Sequence, residues 1–256
     1  MSIENEEKGP LEGIRVLEVS RAWAGPAPLS EKEPMTMSIS EAIRKRKSVR
    51  AYKPDPIPRP ILTELLQTAL RAPSWSNTQT WEVAVLGGAF FEQVKTMLAA
   101  KFLAGEKGRV DVPFPVWTRK FLDRRDENGT RLYNLLGIGL EEKEKQRQWY
   151  TKMHRYYDAP NGIIIYTERG IDPWALLNIG LLIQNIALAA LDHGLGTCII
   201  AAGVSHAEEL RKMMNIPDSK QLVVAMAIGY PDEKAFANTF TSNREPFDSL
   251  VTFYGF

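Results

Sequence analysis

Seven consecutive residues, Arg44-Lys45-Arg46-Lys47-Ser48-Val49-Arg50, carry the densest positive charge in a chain that is otherwise nearly neutral. Guanidinium forks beside a hydroxyl are the groups a phosphate dianion requires, because bidentate charge-assisted hydrogen bonds supply direction as well as energy. Alternate side chains of an extended backbone share a side, so Ser48 and Arg50 are expected to act together. The same residues would also make a solvated basic face or a nucleic-acid patch, and taken alone the cluster reads more readily that way. A second stretch, Ala72-Pro73-Ser74-Trp75-Ser76-Asn77-Thr78-Gln79-Thr80-Trp81, sets amides and hydroxyls between two tryptophans. Loops of that kind line ligand sites, and they serve equally as helix caps with tryptophan packing.

Other candidates for chemistry are weaker. His154, His193 and His206 are scattered without metal-ligand spacing, which points to surface or capping roles. Cys198 is the only cysteine, so no internal disulfide forms; within an apolar strand it reads as a small packing residue. Glu141, Glu142 and Glu144 sit on a charged, solvated helix. Neither a G-x-G-x-x-G turn nor a phosphate-binding G-x-x-x-x-G-K-[ST] loop is present, so a nucleotide would have to be held by other means.

The elements that must position these groups follow from periodicity. Ser38-Ile39-Ser40-Glu41 has the form of a capping box and predicts a short basic helix ending around Lys47. Four prolines at 54, 56, 58 and 60 force an extended link. A helix then starts at Pro60, with Ile61, Leu62, Leu65, Leu66, Ala69 and Leu70 on one apolar face, and Ala72-Pro73 ends it. Strands are expected at Trp81 to Leu86, Gly162 to Thr167, Thr197 to Ile200 and Gln221 to Ile228. Helices are expected at Phe90 to Phe102 and Trp174 to Asp192, the second stopping at Gly194. Ser205-His206-Ala207-Glu208 predicts another capping box opening a helix to about Asn215. The stretch 103–160, with helical pieces at Lys120 to Leu136 and Glu141 to Tyr157, looks like an excursion from the core. Its Trp117, Phe121, Trp149, Tyr150, Tyr156 and Tyr157 would suit a lid over a ligand or a packing arm between subunits. This imperfect alternation favours an α+β sandwich around a mixed sheet over a doubly wound fold.

Composition sets the class. An apolar fraction of 44% with 25% charged residues in 256 residues fits one well-filled globular core. With 32 basic against 31 acidic residues the chain lacks the global bias of a nucleic-acid or anionic-membrane binder, so any anion site must be local. Trp174 to Leu191 approaches membrane-spanning length, but Asn178, Gln184 and Asn185 mark it as a buried helix. The acidic, polar opening Met1 to Pro10 is no signal peptide, and a cytoplasmic location is expected. Residues 1–37 stand apart in composition. Ile14, Val16, Leu17 and Val19 would suit one short strand, and Pro10 to Pro26 resembles the start of family III CoA-transferases. We expect this extension to be non-catalytic, with the functional domain at 38–256.

Two of these stretches also carry a resemblance that spans about Ser38 to Phe256. Arg46-Lys47-Ser48-Val49-Arg50-Ala51-Tyr52 is similar to the R-R-S-x-R-x-[FY] opening of the nitroreductase family, and Ala72 to Trp81 to its A-P-S-x-x-N-x-Q-P-W segment. Gly194-Leu195-Gly196-Thr197-Cys198 with Ala201-Ala202 resembles the segment beneath that family's flavin. Gly229-Tyr230-Pro231-Asp232, Asn238 and Thr241-Ser242-Asn243-Arg244-Glu245-Pro246 resemble the closing signature of its longer, nitrobenzoate-reductase-like members. Thr80 replaces the usual proline, and Ile199-Ile200 replaces a Pro-Gln pair.

The resemblance implies a three-layer α-β-α sandwich with a mixed, mainly antiparallel sheet in an intertwined homodimer, with FMN held by both subunits. Arg46, Ser48 and Arg50, with Lys47 beside them, would hold the phosphate and ribityl chain, joined by Arg244. Pro73, Ser74, Trp75 and Asn77 would reach the neighbouring subunit's flavin. The backbone amide of Ala201 would point at flavin N5 and that of Ala202 would lie beside it, leaving no side chain as catalytic residue and no metal. Hydride would pass from NADH or NADPH through the flavin to a nitroaromatic or quinone acceptor in ping-pong fashion. A flavin-dependent dehalogenase or dehydrogenase, and a non-catalytic flavin carrier or sensor, are the alternatives on the same fold.

Overall fold

The computed structural model describes residues 37–170 and 172–256. The expected strand within 14–19 and the CoA-transferase-like segment lie outside the described residues. Helices α1 (Ile39–Lys45), α2 (Arg59–Ala69) and α3 (Gly88–Leu103) flank strand β1 (Glu82–Gly87). They are followed by α4 (Arg119–Leu136), α5 (Lys143–His154), β2 (Asn161–Glu168), α6 (Pro173–Asp192), β3 (Gly196–Ile200), α7 (Ala207–Met214) and β4 (Lys220–Gly229). The strands form one sheet in the order β1-β2-β4-β3, with all three strand pairs antiparallel.

Side-chain alternation divides the apolar residues of the two central strands between two helical layers. Ile163 and Ile165 of β2, with Met226 and Ile228 of β4, pack against Leu62 and Leu65 of α2 and Ile179, Leu182 and Ile186 of α6. Ile164, Ala225 and Ala227 face the other way, toward Phe91 and Leu98 of α3 and Leu210 of α7. Each large side chain fully buried this way contributes about 1.5–3 kcal/mol. The result is the α-β-α sandwich of an α+β fold, with a parallel bridge between Ser48 and Thr197 making the sheet mixed.

Of the two capping boxes the sequence predicts, one forms. Ser38 and Glu41 make the expected reciprocal cap of α1. Gly194 takes φ 66 just past α6, a left-handed turn that glycine adopts without penalty. Asp172 caps the start of α6 by accepting from the amides of Trp174 and Ala175. The second predicted capping box does not form: α7 starts at Ala207 and no side chain caps it. Ser205 is already helical, at φ −63 and ψ −25, because a 3-10 turn over Ala201–Val204 runs straight into it. An N-cap needs extended backbone. The Arg109 carbonyl accepts from the Ala207 amide instead, at 3.2 Å.

Helix α6 is the one described helix long and apolar enough to cross a membrane by length and composition. Its inner face is core, while Trp174, Leu177 and Leu181 are exposed on the outer one. In the excursion, Asp111 is pinned by the Arg211 and Arg169 guanidinium groups and the Leu222 amide. Its aromatics divide by burial. Trp117 and Phe121 are exposed, whereas Tyr156 and Tyr157 belong to the inner core and cannot form part of a lid.

Candidate functional site

The basic segment after α1 is built onto the edge of the sheet. The Val49 amide donates to the Thr197 carbonyl at 2.9 Å, Lys53 donates to Tyr230, and Asp232 donates to Ala51, so residues 48–53 run along β3 and onto the chain after β4. Gly196 permits the approach: a Cβ there would lie 2.4 Å from a Val49 methyl. Asn238, from the far end of the chain, clamps the segment. Its buried amide oxygen accepts from the Arg50 amide at 2.7 Å, and its nitrogen donates to the carbonyls of Ala51 and Asp232. Lys47 donates to the Asn238 carbonyl, so its ammonium is committed to holding this turn.

The predicted alternation holds where it bears on chemistry. Val49 is buried, while Ser48 and Arg50 are half-buried on the other side, toward Cys198. Burial pushes the Cys198 thiol up; the Arg50 guanidinium, the Ser48 hydroxyl and the more distant Arg46 guanidinium oppose that rise. Arg50 also lies beside Tyr157, whose hydroxyl burial drives far above the usual tyrosine range.

At the end of β3 the 3-10 turn opens with exposed Ala201 and half-buried Ala202, and no side chain caps it. The first amides of a helical turn have no partner within it, so they form a small electropositive concavity. Tyr156 supports the turn from beneath. Fully buried, its hydroxyl donates to the Gly203 carbonyl at 2.8 Å, and its ring packs edge-on against Phe91. Tyr156, Tyr157 and Asp158 have φ 54, 54 and 56, three consecutive left-handed residues with side chains. Such backbone is costly and persists only where its surroundings over-determine it. The ion pairs from Arg155 to Asp158 and Glu92 close it on the outside.

The remaining predicted residues lie elsewhere on the chain. Pro73, Ser74, Trp75 and Asn77 follow α2; the Trp75 amide donates to Asn178 and its side chain is 64% exposed. Trp75 lines a hollow of about 590 Å³ with Trp174 and Asn178, while Arg46 and Lys47 line another of about 290 Å³. Arg244 lines a third, against α4, with its guanidinium turned to Ser242 and the Asn243 carbonyl. Sequence reasoning did not assign Asn238 and Asn178 their clamping roles. A polar residue inside the apolar run of α6 was the available signal for Asn178.

A family-level comparison matches residues 43–230 to the nitroreductase family. A 4-nitrobenzoate reductase from Nocardioides sp. (strain LMS-CY) is 28% identical over 233 residues, covering 86% of this chain and 91% of the relative. The nitroreductase NfnB of Mycolicibacterium smegmatis is 28% identical over 208 residues, 80% of this chain and 87% of its own. Among solved structures, the FMN- and NADPH-dependent nitroreductase NfnB from sphigopyxis sp. strain HMH superposes with a TM-score of 0.83 at 28% identity, covering 86% of this chain and all of its own. NfnB of Mycobacterium smegmatis in complex with NADPH gives 0.81 at 27% identity, over 84% and 97% of the two chains.

Proposed function

The chain belongs to the nitroreductase family, and from that premise we propose that it is an FMN-dependent oxidoreductase that takes hydride from NADH or NADPH and delivers it to a small electron-poor acceptor, a nitroaromatic or a quinone. One observation carries the reading. Ser48 and Arg50, directly after Arg46 at the end of α1, are seated along the same strand whose end opens the 3-10 turn at Ala201 and Ala202. The donor set suits FMN, with guanidinium and hydroxyl groups for the phosphate and ribityl chain at one end and backbone N–H groups at the other. When bound, FMN accepts a hydride and passes it on. Arg50 and the two amides supply positive charge and donors where negative charge accumulates, so no acid-base triad is required. Reductant and acceptor are expected to take turns at one face, giving parallel lines in initial-rate plots.

The Pro73–Asn77 loop lines a different hollow from Arg46, in keeping with a role in the neighbouring subunit's site. Arg244 is assigned to the phosphate as well, approaching from the side of α4 rather than of Arg46. Residues 38–256 form the functional domain in this proposal, and 1–37 take no part. Purification supplies the test: the protein should be yellow with one releasable FMN per protomer, bleach with NADPH or NADH, and regain colour with a nitroaromatic or quinone. A colourless protein that takes up no added FMN would refute the reading, and retention of FMN after trimming to Met37 checks the domain assignment.

A further inference from the structure

Two guanidinium groups from distant parts of the chain meet over one phenyl ring. The Arg50 guanidinium carbon lies 5.7 Å from the centre of the Phe240 ring, and that of Arg131, from α4, lies 5.5 Å from it. Both distances fall inside the range of about 6 Å over which the negative face of a ring attracts a cation. Phe240 is buried, so the attraction acts away from water, where it is strongest. The other hydrogen-bond partners of the two groups are carbonyls: Arg50 Nη1 donates to Ser48 and Arg131 Nη2 to Thr241, each at 3.3 Å. Arg119, Arg124 and Arg125 of α4 pair with carboxylates, whereas among the described residues Arg50 and Arg131 pair with none. The charge of Arg50 is therefore kept for an anionic ligand, and a ring rather than a counter-ion orients it.

Holding Arg50 takes more than holding its backbone. Asn238 accepts from the Arg50 amide at 2.7 Å, yet several rotatable bonds separate that amide from the guanidinium. A planar, weakly hydrated guanidinium stacks readily on an aromatic face, which removes that freedom without neutralising the charge. Phe240 follows Asn238 closely in the chain, so one short tail segment reaches both ends of Arg50.

We propose that Phe240 is a positioning residue of the flavin site: its ring fixes the Arg50 guanidinium, and Arg131, over the same ring, ties that arginine to α4. The inference rests on the flavin reading, and Phe240 acts through Arg50 rather than on the cofactor itself.

The test compares the full-length, FMN-loaded protein with Phe240→Leu, which removes the ring, Phe240→Tyr, which keeps it, and Arg131→Gln. The FMN release rate and the urea midpoint are measured, together with the NMR signal of the Arg50 Nε–H, identified by its loss in Arg50→Lys. In the parent protein ring current should displace that signal upfield. Phe240→Leu should return it to the ordinary arginine position and release FMN about fivefold faster, while Phe240→Tyr retains the parent behaviour on both counts. Arg131→Gln should speed release in the parent background and add nothing in Phe240→Leu, because the two act through one ring. A Phe240→Leu protein that melts earlier in urea but holds FMN as long as the parent makes Phe240 a packing residue and overturns the proposal. An ordinary Arg50 signal in the parent protein overturns it without any variant. A protein that takes up no FMN defeats the flavin reading instead, and the Arg50 signal of that same protein still decides whether the ring holds the guanidinium.

Discussion

Tyr156 shows how one buried side chain supports the site. Its hydroxyl is the donor to the carbonyl of Gly203, directly beneath the Ala201 and Ala202 amides, and a Cβ on Gly203 would meet the Tyr156 hydroxyl at 2.9 Å. Burial drives the phenol far above the usual tyrosine range, so it stays protonated and donating throughout the range of enzyme assays. Replacing Tyr156 by Phe keeps the ring but leaves the Gly203 carbonyl without its donor, a loss of about 1–3 kcal/mol. Urea denaturation should show that drop, and the rate of flavin reduction by NADPH should fall further than FMN occupancy does. An unaltered urea midpoint with an unaltered reduction rate would mean the hydroxyl supports nothing.

Among the elements, α5 couples the excursion to the core through a titratable contact. His154 stacks on Phe102 of α3, with ring centres 4.3 Å apart, and its Nδ1 pairs with the Tyr150 carbonyl. Burial lowers the His154 pKa; the Tyr150 carbonyl opposes this and nearby His206 adds to it. A folded pKa below the unfolded value near 6.5 means the unfolded chain takes up protons first. The contribution of this contact is therefore present above that value and lost as pH falls through it. Stability measured between pH 7.5 and 5.5, bounds set around the histidine range of about 6.5, should decline in the parent protein. In His154→Gln the decline should be smaller, and an identical slope would assign the proton uptake elsewhere. Sequence periodicity located α5 but not this contact, because residues 102 and 154 meet only once α3 and α5 pack.

At the scale of the whole molecule, the outer face of α6 remains to be covered. Trp174, Leu177 and Leu181 lie along one stripe, with exposed Trp75 lining the same hollow as Trp174. Patches of this kind mark association surfaces, and a second copy of the chain is the partner our functional proposal requires. Leu177→Glu should convert a dimer into monomers in light scattering coupled to size exclusion, and FMN should be lost with it if the Pro73–Asn77 loop serves the neighbouring site. A monomeric parent protein would remove this part of the proposal.

The sequence alone determined the elements and their order, because helix and strand periods are local: apolar spacing marked α2, α6, β2 and β4 nearly to their ends. It also determined the family, through several motifs occurring together in order. Only the tertiary structure decided what those motifs touch. Asn238 clamps Arg50 across 188 positions, and Tyr156 and Tyr157, which look like lid residues by composition, are core. Ser205 loses its cap to a carbonyl from the excursion, and Arg244 lines a hollow with Arg131 while Arg46 lines another. Each depends on the packing of distant segments, where burial and hydrogen-bond satisfaction are settled jointly and local spacing has no purchase.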